Sequence, residues 1–116
     1  MTAVQFFRTA GRLVGFKAEG HTGYAPSGQD IVCAGVSTLL QTAVLGLQEL
    51  ADVALQVKQE PKSGLLHCWL GETADEAKLV KADLILNLTY LGLQQIATDY
   101  QKYVQISLKE VPNNEI

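Results

Sequence analysis

GHTGYAPSGQDIVCAGVS, residues 20–37, is the stretch on which the rest of this 116-residue chain turns. Gly20, Gly23, Gly28 and Pro26 fall within its first nine residues, which predicts a loop with unusual backbone angles, and an uncharged apolar run follows at once. A histidine opens the loop and a cysteine closes it. With Ser27 or Asp30 as N-cap, Ile31, Val32 and Cys33 form the first turn of a helix, where unpaired backbone N–H groups and the helix dipole favour negative charge. The thiolate is the nucleophilic form of cysteine, and a neighbouring imidazolium stabilises it further. His21 is the histidine whose short loop can fold back to Cys33. The chemistry these residues point to is acyl transfer: Cys33 attacks a carbonyl, His21 gives its proton to the leaving amine, and water releases the acyl group. First-turn N–H groups of the same helix are the expected oxyanion donors.

Other readings of the same residues stay open at this point. A cysteine on an apolar helix is often a small packing group, and a loop histidine is often merely exposed. A glycine-rich loop entering a helix also suits an anion, although Gly20, Gly23 and Gly28 do not fit the dinucleotide spacing and no Gly-Lys-Ser/Thr ending is present. A zinc site pooling His21, Cys33, His67 and Cys68 lacks a Cys-x-x-Cys knuckle, and adjacent His67 and Cys68 would face opposite ways on a strand. Asp30 sits three residues before Cys33, placed either to orient His21 as a third catalytic member or to cap the N–H of Cys33; the cap is the favoured reading, and its charge would partly oppose the pull of the helix on the thiolate. Ser37, one turn beyond Cys33, either lines the pocket or bonds back to its own helix.

Taken together, Gly-His-x-Gly, a short glycine-containing spacer and Asp-Ile-Val-Cys-Ala-x-Val-Ser resemble the ribosomal-processing cysteine protease family of Firmicutes and related bacteria. The likeness is close at residues 20–37, and length and element order agree over nearly the whole chain. What the resemblance implies is a cysteine endopeptidase, usually a homodimer, that removes a short N-terminal extension from the large-subunit ribosomal protein L-twenty-seven. It assigns the nucleophile to Cys33 and the base to His21. Neither a cofactor nor a metal is expected. Thr22 and Gly35 depart from the family pattern, in which alanine is more usual at both. Because the implied extension ends in an aromatic-rich motif, an apolar pocket is expected near Cys33, with Tyr24 and Pro26 as the candidates nearest in sequence. An extended peptide would pair with a sheet edge or with loop backbone, and the glycines at 20, 23 and 28 would let main chain approach main chain. Residues 22–29 are expected to move and to close over substrate. The competing function is a non-catalytic peptide-binding or ribosome-assembly module that uses the loop only as a grip.

Composition sets the limits around this reading. The chain is 47% hydrophobic and 18% charged, a globular composition that suggests surface hidden in an oligomer. A net charge of −3 argues against direct nucleic-acid binding and would attract a basic ribosomal-protein tail. Two cysteines in unrelated settings read as free thiols of a reducing compartment, and the N-terminus lacks a charged-then-apolar signal, so a cytoplasmic location is expected.

Period-2 alternation around Val4, Phe6, Val14, Phe16 and Ala18 predicts a hairpin turning near Ala10-Gly11 that delivers His21 to one end of a sheet. A helix is expected from about Asp30 to Ala51; the absence of charge between Asp30 and Glu49 invites a membrane reading, but recurring Ser37, Thr38, Gln41 and Thr42 make it a poor span. A strand from Val53 to Glu60, a turn at Pro61-Lys62-Ser63-Gly64 and a strand from Leu65 to Leu70 come next, with Cys68 inward and His67 and Trp69 outward. Thr73-Ala74-Asp75-Glu76 reads as a capping box, and Ala77, Val80, Leu84, Leu88 and Leu91 keep helical spacing to about Tyr100. Tyr103 to Lys109 is the last strand. The prediction is an α+β two-layer sandwich of order ββαββαβ, with two long helices on a five-stranded antiparallel or mixed sheet, one domain over residues 1–110 and a frayed tail over 111–116.

Overall fold

A computed structural model of the protein describes residues 1–26, 28–73 and 75–112. The predicted order is present: β1 (Thr2–Thr9), β2 (Arg12–Glu19), α1 (Ile31–Glu49), β3 (Leu55–Glu60), β4 (Leu65–Leu70), α2 (Glu76–Asp99) and β5 (Val104–Glu110). Ala10 and Gly11 both take positive φ, 50° and 80°, the two-residue hairpin turn whose twist matches that of the strands it joins. The sheet runs β3-β4-β2-β1-β5. All pairs are antiparallel except β1 with β5, so the sheet is mixed. After β4, α2 carries the chain back along the sheet, and β5 adds at the far edge in the direction of β1.

Both helices cover one face of the sheet. Val4, Phe6, Phe16, Ala18, Leu66 and Cys68 from the strands meet Val32, Val36, Leu40, Ala43 and Leu47 of α1 and Ala82, Leu86 and Leu93 of α2. Phe6 is fully enclosed, edge-on to Tyr90 at 5.1 Å and tilted against Phe16 at 5.9 Å. Truncating either phenylalanine to alanine costs about 3–5 kcal/mol by the usual cavity penalty. By length and composition α1 could cross a membrane. Its Val32, Val36, Leu40, Ala43 and Leu47 are instead packed in this core.

Four sequence-based details are corrected. The register of β1 and β2 shifts between Phe7 and Arg8, leaving Val14 as the extra residue, so Leu13 rather than Val14 joins the core and its N–H is taken by Asp83 Oδ1 of α2 at 2.8 Å. The α2 cap is Asp75, which accepts from the N–H of Lys78, while Thr73 accepts from the N–H of Asp75 and Glu76 pairs with Arg12 instead of closing a capping box. Ala74, within that expected box, lies outside the described residues, as do residues 113–116 of the expected tail. Helix α1 ends at Glu49, and Val53 is a buried residue of the connection rather than the start of β3. Finally, the apolar positions Val80, Leu84, Leu88 and Leu91 form the outer stripe of α2, between 50% and 70% exposed, whereas the core takes Ala82, Leu86, Thr89 and Leu93 on the opposite side. The two stripes lie two residues out of phase, about 200° around the helix.

Candidate active site

The loop between β2 and α1 is organised by one carboxylate. Asp30 is the N-cap of α1, with extended backbone angles, and its Oδ1 accepts the N–H of Cys33 at 2.8 Å. Its Oδ2 accepts the buried hydroxyl of Thr22 and the N–H of Tyr24 at 3.1 Å. Burial works to raise this carboxyl, but the hydrogen bonds from Thr22, Cys33, Ala25 and Tyr24 outweigh it and hold Asp30 below the usual carboxylate range. The cap reading of Asp30 therefore describes its geometry. Ser27, the other candidate cap, lies outside the described residues.

His21 and Cys33 line one cleft of about 520 Å³ at the N-terminus of α1, together with Gly23, Gly28, Ile31 and Ala34. Cys33 is partly exposed. The His21 imidazole does not rest on Asp30: its Nε2 lies 3.0 Å from the main-chain oxygen of Lys62, in the turn between β3 and β4. That turn is pinned to the end of β2 by the bond from Gly20 N–H to the Ser63 carbonyl, 2.9 Å, and the Gly20 carbonyl accepts from the Thr2 hydroxyl at 3.2 Å.

Several expected pocket residues lie elsewhere. Tyr24 turns away from the cleft and packs edge-on against Tyr100 at 5.6 Å and Tyr103 at 5.3 Å, anchoring the loop to the C-terminal end of α2. Pro26 and Ser37 are exposed and outside the lining, and Gly20 is the backbone junction just described. Gly23 and Gly28 do line the cleft, both with left-handed backbone, φ 72° and 87°. The first-turn N–H of Cys33 is already held by Asp30, which removes it both as an oxyanion donor and as part of an anion cradle. Thr22, Lys62, Tyr100 and Tyr103 were missed from sequence. For Thr22 the one signal was its departure from alanine.

The four-residue zinc set is not assembled. Cys68 is in the core, its thiol pushed up to about 12 by burial. His67 is on the helix-free face of β4, its ring 4.4 Å from that of Trp69 and 5.9 Å from that of Phe7. Burial, then the charges of Lys17 and Lys58, hold the His67 imidazole below its ordinary value against a weaker opposite pull from Glu19.

A thiol at the start of a central helix, sharing a cleft with an imidazole on a two-layer α+β scaffold, is an arrangement suited to a cysteine hydrolase. The sequence pattern of the family described as cysteine protease Prp matches residues 1–105. The chain belongs to that family. The ribosomal processing cysteine protease Prp of Bacillus subtilis is 27% identical over 95 residues, 82% of this chain and 85% of the relative. That of Staphylococcus aureus is 26% identical over 99 residues, 85% and 90% of the two chains. Among solved structures, the Staphylococcus aureus protease with a covalently linked product peptide superposes with a TM-score of 0.83 at 25% identity, covering 94% of this chain and all of the other. A Streptococcus mutans protein superposes with a TM-score of 0.81 at 27% identity, covering 96% of each. The protein is a cysteine protease with the fold of this family.

Proposed function

We propose that this protease removes a short N-terminal extension from a large-subunit ribosomal protein of the L-twenty-seven type, using Cys33 as nucleophile and His21 as base. The observation that carries the reading is the placement of both side chains in one cleft at the start of α1. It is supported by the relatives named as ribosomal processing proteases and by the relative crystallised with a covalently linked product peptide.

His21 takes the thiol proton, and the Cys33 sulfur attacks the scissile carbonyl carbon. The imidazolium then protonates the leaving amine as the C–N bond breaks, leaving a thioester. Water, deprotonated by the same ring, releases the acid and restores the thiol. Because Asp30 occupies the N–H of Cys33, the N–H groups of Ile31 and Val32, which have no intrahelical partner, are the donors left for the oxyanion. Beside the Asp30 carboxylate and Gln29, the cleft wall of Gly23, Ala25, Gly28, Ile31 and Ala34 offers small and apolar surface to an extended segment.

The enzyme works as a homodimer in the cytoplasm, on peptide rather than on nucleic acid or membrane. The exposed stripe Val80, Leu84, Leu88 and Leu91 is the surface that a second copy would cover. The cytoplasmic assignment is supported by two free thiols in one small domain.

The deciding experiment mixes the protein with a peptide spanning the ribosomal extension and follows cleavage by mass spectrometry for wild type and Cys33→Ala. Cleavage confined to wild type is expected. An intact peptide with wild type leaves a peptide-binding module in its place. Leu84→Glu with Leu88→Glu should convert the dimer to monomer in sedimentation velocity, and an unchanged species would remove α2 from the interface.

A further inference from the structure

An imidazole that acts as a base uses one ring nitrogen, and the hydrogen bond made by the other sets which of the two carries the proton. Asp30 makes no hydrogen bond to His21: its Oδ1 takes Cys33 N–H and its Oδ2 takes the Thr22 hydroxyl and Tyr24 N–H. His21 Nε2 instead lies 3.0 Å from the Lys62 carbonyl oxygen. A carbonyl can only accept, so the nitrogen facing it is the protonated one and Nδ1 keeps its lone pair.

We propose that the main-chain carbonyl of Lys62 is the orienting third member of the site: it holds His21 as the Nε2–H tautomer and reserves Nδ1 for the proton of the Cys33 thiol. The inference rests on the Cys33–His21 reading above. It makes Lys62 a positioning residue acting through its backbone, so no side-chain replacement at that position removes the group. An amide carbonyl standing where other proteases use a carboxylate also has a chemical precedent in Cys-His-Asn sites.

The turn is built to keep that carbonyl in place. Pro61–Ser63 form a single tight helical turn closed by Gly64 in the left-handed region, φ 67°, with Gly64 N–H on the Pro61 carbonyl at 3.1 Å. The carbonyls at the end of such a turn lack partners within it. Here that of Ser63 takes Gly20 N–H and that of Lys62 takes the adjacent ring of His21. A Cβ at position 64 would stand 2.2 Å from the Gly20 oxygen, so the turn can approach the end of β2 this closely only because residue 64 is glycine.

The test is heteronuclear NMR of the full chain with ¹⁵N-histidine, the His21 ring being assigned against a His67→Gln sample, run beside the peptide-cleavage assay. In wild type the neutral His21 ring should carry its proton on Nε2. Gly64→Ala should push the turn away, convert the ring to a mixture of tautomers, and lower kcat by about 10–100-fold with KM held within about twofold. Should Gly64→Ala fail to fold, an ester in place of the Lys62–Ser63 amide weakens the same acceptor without added bulk, and should lower kcat about fivefold. A wild type that cleaves the peptide with its ring proton on Nδ1 overturns the proposal alone. So does a folded variant of either kind with unchanged kcat and tautomer. A wild type that leaves the peptide intact removes the reading of the site and the proposal with it.

Discussion

His67 and Cys68 are neighbours in the sequence, yet β4 sends one to the helix-free face and the other into the core; His21 and Cys33 lie twelve positions apart and line one cleft. The contrast is one of backbone surroundings. Cys68 is enclosed by apolar side chains and kept protonated. Cys33 starts a helix, at an accessible surface, with its own N–H tied by Asp30. His67 packs at a tilt against Trp69 with its Nε2 buried and without a hydrogen-bond partner among the described residues, whereas His21 is exposed and has a carbonyl to orient it. Adjacency of reactive residue types is thus a poor guide to a site, and a shared helix terminus is a better one.

Each side of that contrast can be broken separately. The largest effect belongs to the histidines: His21→Ala should slow peptide cleavage by about 10²–10⁴-fold, the usual worth of a general base, while His67→Gln stays within about threefold of wild type. Next come the thiols. Limited iodoacetamide treatment near neutral pH, mapped by mass spectrometry, should modify Cys33 about a hundredfold faster than Cys68, with the gap closing in denaturant. Equal rates in the folded protein would remove the distinction. Cys68→Ser places an unpartnered hydroxyl in the core and should cost about 1–3 kcal/mol in urea unfolding, leaving cleavage intact where the variant remains folded.

The smallest effect is a slope with pH. The His67 value is lowered on folding, so the unfolded chain takes up the proton first as pH falls. The contribution of this group is complete above its ordinary value of about 6.5 and declines below it, until the pH has passed through the native value. Thermal midpoints measured between about pH 7.5 and 5 should fall toward acid in wild type and fall less in His67→Gln. Asp30, also lowered, adds a loss of the same sign only below about pH 3.9, where the unfolded carboxyl begins to take up protons ahead of the native one.

Much of this architecture could be read from periodicity. The hairpin, both helices and the β3–β4 turn announce themselves through alternation, helical spacing and the Pro61–Gly64 run. The mixed sheet did not, since nothing in β5 says which edge it will join. Helix α2 was misleading for a definite reason. Its strongest apolar spacing, Val80-Leu84-Leu88-Leu91, is the exposed stripe, and the core stripe contains Ala82 and Thr89, so hydrophobicity marked a face without saying what covers it. At the site, His21, Asp30 and Cys33 were legible because they sit in one continuous stretch with helix-start signals. The Lys62 oxygen was not, because every residue has a carbonyl and only the fold decides which one is aimed at the ring. Tyr24 shows a related limit: closeness in sequence to Cys33 gives no hint of its packing against Tyr100 and Tyr103.

A single carboxylate both begins α1 and gathers Thr22 and Tyr24, so the start of the helix and the loop before it share one set of hydrogen bonds. A chain still emerging from synthesis would possess the sulfur and the imidazole without the scaffold that aligns them, and in particular without the β3–β4 turn, made some forty residues later. On the proposed reading of the site, cleavage would therefore have to wait until the β3–β4 turn has docked against the end of β2.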